Sequence, residues 1–239
     1  MEIPLNIIHN YIGFPVLAGL GIDTLLRYRK NKNITSLYLA LGCLSASVAE
    51  LFFGVPVLLT HDQHVLSLTT LAGDIGVGLS MMFLWFLATR AFFSKWKGAV
   101  TLANIVVIAF TCVVFAEALH RNLTLPYEVS IIRNAGGGIT YHYSDTPLYT
   151  LLSSIDSIAL FLVALFFWRQ GRAAPTRGQR MRIQSFAGSF IVIAIAFIVP
   201  AAAPENIQFH VSVILWSIAM INMAIFNAIG SAMDRSRPA

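Results

Sequence analysis

Charged residues are scarce in this sequence. Asp, Glu, Lys and Arg together make up only 11% of the 239 residues, whereas 57% are hydrophobic. About a quarter of the residues of a soluble domain are charged, so this composition argues against an ordinary soluble fold. Cysteine is scarce too, because only Cys43 and Cys112 occur and both fall in apolar stretches. Neither a disulfide framework nor a cysteine-ligated metal is therefore expected.

Apolar runs long enough to cross a bilayer recur along the whole chain. A helix needs about 20 such residues to span the hydrocarbon core. The pattern predicts an all-α membrane protein, built as one seven-transmembrane helix bundle over residues 1–239. The predicted spans cover residues 7–28, 34–60, 65–93, 98–119, 147–170, 183–203 and 207–230.

The basic residues predict the orientation of this bundle. All but two of the 16 Lys and Arg residues fall in the C-terminal tail, at the ends of odd-numbered spans or in the loops that follow those spans, and the exceptions are Arg121 and Arg133. Loops rich in Lys and Arg stay in the cytoplasm, so the N-terminus is predicted outside and the C-terminus inside. A multi-pass protein of the plasma (inner) membrane is expected. Contact of the basic loops with lipid headgroups explains the net charge of +5, and no nucleic acid partner is expected.

One outer connection is much longer than the others. It joins spans four and five over residues 120–146 and contains a glycine cluster between two β-prone stretches. This pattern predicts a β-hairpin, and long loops in compact proteins are often functional. The segment is expected to form a lid over the outer mouth of the bundle. A cover for helix ends with no further role fits the same pattern.

Three acidic residues are predicted at one depth in the bundle. At about 1.5 Å per residue, Glu50, Asp74 and Asp156 each lie ~14 Å from the outer end of their span. Ionisable side chains inside a membrane are costly and are functional candidates by default. With no Lys, Arg or His predicted at that depth, the three carboxylates require shared protons, a bound cation or a cationic ligand. If each is instead neutral and hydrogen-bonded to a separate helix, they only stabilise packing.

The histidines all fall at the outer ends of spans or in outer loops. His61 and His64 flank Asp62, and Glu117 precedes His120 by three residues on one helical face. Imidazole and carboxylate groups suit divalent metals such as zinc or copper, and imidazole also titrates near neutral pH. His61, His64 and His120 are therefore candidate metal ligands. Ordinary polar side chains in exposed loops are the alternative.

Three other polar positions inside the spans have simple structural explanations. Asp23 lies about one turn from Arg27, which predicts a local ion pair. Asn104 and Asn222 lie in spans four and seven, where interhelical hydrogen bonds are expected.

The distribution of lysine and histidine excludes several functions. Microbial rhodopsins also have seven spans and an outer N-terminus, but their retinal requires a lysine in the last span. The only lysines of this chain are Lys30, Lys32, Lys95 and Lys97, all in predicted inner loops, so a retinal cofactor is excluded. No histidine is predicted deep inside a span to ligate haem or a membrane-hydrolase zinc, because those within spans lie at the outer ends. No nucleophile triad or phosphate-binding loop is recognisable, and the protein is not expected to be an enzyme.

The region around span six carries a pattern known from another family. Residues 177–184 read Arg-Gly-Gln-Arg-Met-Arg-Ile-Gln and lead into an apolar helix that ends Ile-Val-Pro200. The long outer loop contains glycines and ends in Tyr141-His-Tyr143 before span five. With the length and orientation, these features resemble the seven-span sensory region at the N-terminus of many prokaryotic histidine kinases. In that family the last span continues into a signalling module, whereas this sequence ends at Ala239. The chain is therefore expected to be a stand-alone or excised sensory part, or else to share only the topology of that family.

These observations predict a receptor-like sensory membrane domain. It would bind a small-molecule ligand or a cation from the extracytoplasmic side and signal to a cytoplasmic protein, alone or as a homodimer. The alternatives are a proton- or cation-coupled small-molecule transporter, with Asp23 near the inner exit, and a structural subunit of a larger membrane complex. The candidate ligand-binding residues are Glu50, Asp74, Asp156, Glu117, His9, Tyr141 and Tyr143.

Overall fold

Long helices make up most of the computed structural model, which describes residues 8–60, 62–124, 130–133, 139–142, 146–202 and 205–235. Within these residues the helices are α1 (Ile8–Asn31), α2 (Ile34–Leu59), α3 (Gln63–Phe93), α4 (Lys97–Thr124), α5 (Pro147–Arg172), α6 (Arg177–Ala202) and α7 (Glu205–Arg235). Among the described residues, the six helices α2 to α7 are long and apolar enough to cross a membrane. The chain is therefore an all-α, multi-pass membrane protein. Helix α1 does not belong to this group, because polar residues such as Asn10 and Asp23 lower its hydropathy.

Side-chain caps explain where several helices begin. Asn33 caps α2 and Asp62 caps α3, each by accepting backbone N–H groups of the first turn. The Thr146 hydroxyl accepts the backbone N–H of Tyr149 at 3.0 Å at the start of α5. Asn, Asp and Thr are preferred at these positions because the first N–H groups of a helix have no partner within it. The capped connections before α2 and α3 are short, so consecutive helices are antiparallel neighbours.

Two short strands lie between α4 and α5. Strand β1 (Ser130–Arg133) pairs antiparallel with β2 (Ile139–His142), and Ser130 lies opposite His142 while Arg133 lies opposite Ile139. The predicted lid over residues 120–146 includes 125–129, 134–138 and 143–145, which lie outside the described residues. Its function as a lid stays a prediction.

Contacts between helices divide the chain into two compact units. The first ends at Leu152 and the second begins at Ser153, within α5. In the first unit α2 packs against both α1 and α3, and α3 packs against α4. In the second unit α6 packs against α7.

Glycines bring α2 and α3 close together. A Cβ atom on Gly76 would lie 2.9 Å from the Ala49 Cβ and 3.1 Å from the Ser45 carbonyl oxygen. A Cβ atom on Gly73 would lie 2.4 Å from the Phe53 ring. Small residues allow membrane helices to approach closely enough for van der Waals packing to hold them. The depth of α3 relative to α2 is therefore determined by these contacts.

Buried polar side chains connect neighbouring helices in both units. Between α3 and α4, the Thr89 hydroxyl donates to Oδ1 of Asn104 at 3.0 Å. Between α6 and α7, Asn222 donates to the Ser189 hydroxyl at 2.8 Å and to the Ser185 carbonyl at 3.1 Å. The interhelical hydrogen bonds predicted for Asn104 and Asn222 are confirmed.

The close α2–α3 contact predicts that Gly76→Ala destabilises the protein. The added methyl group would meet Ala49 and the backbone at Ser45, so the free energy of unfolding should fall by about 1–3 kcal/mol. Gly19→Ala is the matched control, because a Cβ there would meet nothing within 4 Å. Equilibrium unfolding in mixed micelles measures both variants. Equal stability of Gly76→Ala and Gly19→Ala would contradict the packing described.

Candidate functional site

A buried ion pair lies between α3 and α4 in the first unit. Nη2 of Arg121 donates to Oδ2 of Asp74, and the two side chains are only 7% and 5% exposed. The Arg121 guanidinium also lies over the ring of Tyr149, 4.1 Å from its centroid, at the start of α5. A cation over an aromatic face is stabilised more strongly where water is excluded. Asp74, Arg121 and Tyr149 together form what we call the ion-pair cluster.

The ion-pair cluster corrects one expectation from the sequence. No Lys, Arg or His was expected at the depth of the carboxylates, and for Asp74 this is wrong. A residue count places Arg121 at the outer end of its helix. Side chains, however, tilt toward the N-terminus of their helix, which for Arg121 leads back along α4 into the span. Because α3 is antiparallel to α4, the Asp74 side chain tilts the opposite way and the two charged groups meet.

Glu117 supports the ion-pair cluster from one turn away on α4. It is 8% exposed, and its Oε1 accepts a hydrogen bond from the Thr146 hydroxyl. The same hydroxyl caps α5 by accepting the backbone N–H of Tyr149. A carboxyl group of α4 thus holds the first turn of α5, where the Tyr149 ring contacts Arg121.

Glu50 lies at a different contact, between α2 and α1. It is 7% exposed, and its Oε2 has no hydrogen-bond partner among the described residues. A Cβ atom on Gly13 of α1 would lie 3.0 Å from the Glu50 carboxyl carbon, so the glycine leaves room for the carboxyl group. Asn10, one turn earlier on α1, packs against Gly54 and likewise has a buried Oδ1 without a partner in the described structure.

Glu50 and Asp74 lie at similar depths but contact different helices. Because Gly76 faces Ala49, the backbones at Glu50 and Asp74 are within about one helical turn in depth. The Glu50 carboxyl group reaches α1, whereas that of Asp74 reaches α4. Asp156 is buried in the second unit. That Asp156 lies at the same depth as Glu50 and Asp74 therefore stays a prediction.

Two of the three candidate metal ligands, His64 and His120, lie within the described residues. His64 and His120 are exposed, and His61 lies outside the described part of the chain. No group of three His, Cys, Asp or Glu residues that could hold a metal occurs within the residues described. Asp62 accepts the backbone N–H of His64 at 2.8 Å, which explains this acidic residue as a helix cap. The divalent metal site stays a prediction.

The remaining candidate ligand-binding residues are His9, Tyr141 and Tyr143. His9 is partly buried in the first turn of α1 and has a partner of its own. Tyr141 lies in β2 opposite Ile131, and Tyr143 lies outside the described residues. Their role in ligand binding stays a prediction.

A second cluster of polar side chains connects α6 and α7, and we call it the α6–α7 clasp. Arg182 donates to Oδ2 of Asp234 at 2.5 Å and to the Ser231 hydroxyl at 3.2 Å. The Thr176 hydroxyl, just before α6, donates to Oδ1 of Asp234 at 2.8 Å. Sequence reasoning misses Asp234 because it lies beside Arg235 in a basic tail. The only available signal was that it is the one acidic residue near the end of an otherwise basic segment.

Comparison with known proteins does not assign this chain to a family. No protein-family model matches it, and no curated protein matches it. The fold defines the class, an all-α multi-pass membrane protein. The function must therefore be inferred from the ion-pair cluster, Glu50 and the α6–α7 clasp.

The ion-pair cluster predicts a large cost for removing one charged partner. Asp74→Ala or Arg121→Ala should each lower the free energy of unfolding by about 3–5 kcal/mol, because an unpaired charge would be left buried. The double variant should lose much less free energy of unfolding than the two single variants lose in sum. Equilibrium unfolding of all three proteins measures the coupling in a double-mutant cycle.

The Asp23–Arg27 pair is the matched control. Its 2.6 Å contact confirms the predicted local pair, but the side chains are 48% and 51% exposed. Breaking an exposed pair should cost no more than about 1 kcal/mol. If Arg121→Ala were no more destabilising than Arg27→Ala, the ion-pair cluster would not be buried as described.

Proposed function

We propose that this protein is a receptor-like sensory membrane domain that detects a small-molecule ligand or a cation from the extracytoplasmic side. The buried Asp74–Arg121 pair carries the proposal, since it joins α3 and α4 and extends to α5 through Tyr149. A buried ion pair contributes little net stability, because desolvation offsets much of the attraction between the charges. Ionisable residues inside a membrane usually mark functional sites instead.

A charged ligand would compete for one member of this pair. An anionic group would compete with Asp74 for Arg121, and a cationic group would compete with Arg121 for Asp74. Either event would weaken the α3–α4 contact and free the Tyr149 ring from the guanidinium. The helices would shift only to the extent that the ligand binds one arrangement more tightly than the other. The geometry thus supports a switch between two packing arrangements.

The α6–α7 clasp supports a route for the signal toward a cytoplasmic protein. It connects the second turn of α6 to the last turn of α7, on the side predicted to be cytoplasmic from the basic loops. Arg182 and Asp234 are 14% and 23% exposed, so water can replace their contact more easily than that of the ion-pair cluster. A cytoplasmic signalling protein, or a second copy of the chain, would respond to the opening of this clasp.

The seven-span topology is part of the same proposal. The Tyr11 hydroxyl donates to the Gly54 carbonyl at 2.9 Å, and the Ser47 hydroxyl donates to the Phe14 carbonyl at 3.2 Å. A Cβ atom on Gly21 would lie 2.7 Å from the nearest α2 side-chain atom. Because α2 is a candidate span, contact with α1 over this length favours α1 as a seventh span. The N-terminus is then outside the plasma (inner) membrane, with the β1–β2 segment as a lid.

Single cysteines test this topology. In a background without Cys43 and Cys112, a membrane-impermeant maleimide should label Glu2→Cys and Gln63→Cys in intact cells, because both would lie outside. Ser94→Cys, in the exposed α3–α4 connection, should react only after permeabilisation. Labelling of Gln63→Cys but not Glu2→Cys in intact cells would leave six spans. Labelling of Ser94→Cys alone would reverse the orientation.

A ligand screen tests the sensory function. Purified protein in lipid nanodiscs is heated with a panel of small carboxylates, amines, and monovalent and divalent cations. At least one compound should raise the Tm of the wild type, and Asp74→Asn and Arg121→Gln should abolish that rise. Asp23→Asn should retain it, because Asp23 belongs to the exposed pair. An identical response of the wild type and the two cluster variants would exclude this site.

Coupled transport is the second candidate, favoured by the buried Oε2 of Glu50, which has no partner among the described residues and could bind a crossing ion. Two measurements on vesicles separate the functions. Accumulation of the stabilising compound under an ion gradient supports transport. Sensing without transport predicts no accumulation, together with faster deuterium uptake at the α6–α7 clasp when the compound binds.

A further inference from the structure

The α1–α2 contact contains two buried polar side chains, each with one oxygen that lacks a hydrogen-bond partner among the described residues. Glu50 is 7% exposed and Asn10 is 4% exposed. One oxygen of each, Oε2 of Glu50 and Oδ1 of Asn10, is buried and accepts no hydrogen bond within the described structure. Buried polar groups nearly always have a partner, because an unpaired group loses its hydration without compensation. Asn10 lies one turn before Gly13, the residue that the Glu50 carboxyl group contacts, so the two oxygens call for a shared explanation.

The neighbouring hydroxyl groups are already used. The Ser47 hydroxyl, one turn from Glu50, donates to the Phe14 carbonyl, and the Tyr11 hydroxyl donates to a backbone carbonyl of α2. Both donors are thus directed at backbone oxygens. Neither of these two hydroxyl groups donates to the Glu50 carboxyl group.

The charged groups on the helices around Glu50 are also engaged elsewhere. On α3, Asp74 pairs with Arg121 of α4. On α1, Asp23 pairs with Arg27, and His9 has a partner of its own. The Oε2 atom of Glu50 accepts a hydrogen bond from none of these described groups.

We propose that Glu50 is a proton-binding site, whose carboxyl group holds a proton on Oε2 and directs it toward the amide oxygen of Asn10. One proton turns an acceptor into a donor and satisfies both oxygens at once. It also removes a negative charge that the membrane interior disfavours. A Cβ atom on Gly13 would lie only 3.0 Å from the carboxyl carbon, and this tight packing favours a proton over a larger ligand.

Release of the proton changes the α1–α2 contact. The O–H bond of the carboxylic acid breaks, its electron pair stays on Oε2, and the proton passes to water at the outer ends of α1 and α2. The carboxylate and the amide oxygen of Asn10 are then two acceptors that repel each other. Contact at Gly13 and Gly54 should loosen, and binding of a proton should restore it. Proton binding involves α1 and α2 alone, and only its role as a stimulus rests on the proposed sensory function.

Infrared spectroscopy of the full chain in phosphatidylcholine vesicles detects the bound proton. Near about pH 7, where an ordinary glutamate is ionised, the wild type should show the C=O stretch of a carboxylic acid that Glu50→Gln lacks. Glu117→Gln should retain that band, because Glu117 has a donor in Thr146. Asn10→Leu should shift the band, since it removes the acceptor. Equal band intensity in the wild type and Glu50→Gln would overturn the proposal.

Thermal unfolding gives a second readout that does not depend on the spectrum. The unfolded chain releases this proton above the ordinary glutamate pKa of about 4.3, whereas the folded protein still holds it, so the wild-type Tm should fall as the pH rises from about 5 through 7. Glu50→Gln resembles the protonated side chain, and its Tm should fall less over the same range. Stability that depends on sodium but not on pH would reveal a bound cation and would overturn the proton assignment.

Deuterium uptake at the α6–α7 clasp tests whether proton binding at Glu50 is also the stimulus of the proposed sensory function. A change with pH in the wild type that Glu50→Gln abolishes would support the proton as the stimulus. A Glu50 infrared band together with pH-independent uptake would support the proton site and overturn its role in signalling.

Discussion

The Asp74–Arg121 ion pair is the contact on which the described site depends. It joins α3 to α4 inside the apolar layer, and the guanidinium extends the connection to α5 through the Tyr149 ring. Glu117 maintains this geometry by accepting a hydrogen bond from the residue that caps α5. Charges held out of water interact strongly but remain costly, so a small change in either partner has a large effect on helix packing.

The first unit thus carries two polar contacts of different character. Between α3 and α4 the charges are paired, whereas between α1 and α2 the buried oxygens of Glu50 and Asn10 lack a donor within the described chain. Both lie at similar depth, because the glycine contacts of α2 and α3 determine the relative position of these helices. In the proposed function a charged ligand would act on the first contact, and in the proposed proton site a proton would act on the second. Helices α2 and α3 would connect the two responses.

Several features could be predicted from residue patterns because they depend on local chemistry. The predicted span over residues 34–60 matches α2, and the span over 147–170 begins with α5. Helix α6 begins earlier than its predicted span over 183–203, because Thr176 caps it and basic residues extend it beyond the apolar run. Apolar composition indicates which segment can lie in the hydrocarbon layer, whereas hydrogen bonding determines where the helix begins and ends. The bonds of Asn104 and Asn222 were predictable because amides in membrane spans need partners.

The amino-acid sequence by itself determined the class of the protein, the approximate ends of most helices and the identity of the ionisable residues inside them. These properties depend on hydropathy, helix length and the cost of burying charge, all of which act locally. Only the tertiary structure decided which ionisable residues meet. Arg121 reaches Asp74 because side chains of antiparallel helices tilt toward each other, whereas the Glu50 carboxyl group contacts α1, where its Oε2 has no partner among the described residues. Which charged residues pair depends on the direction in which each side chain points across a helix contact. The position of a residue along its own helix does not specify that direction.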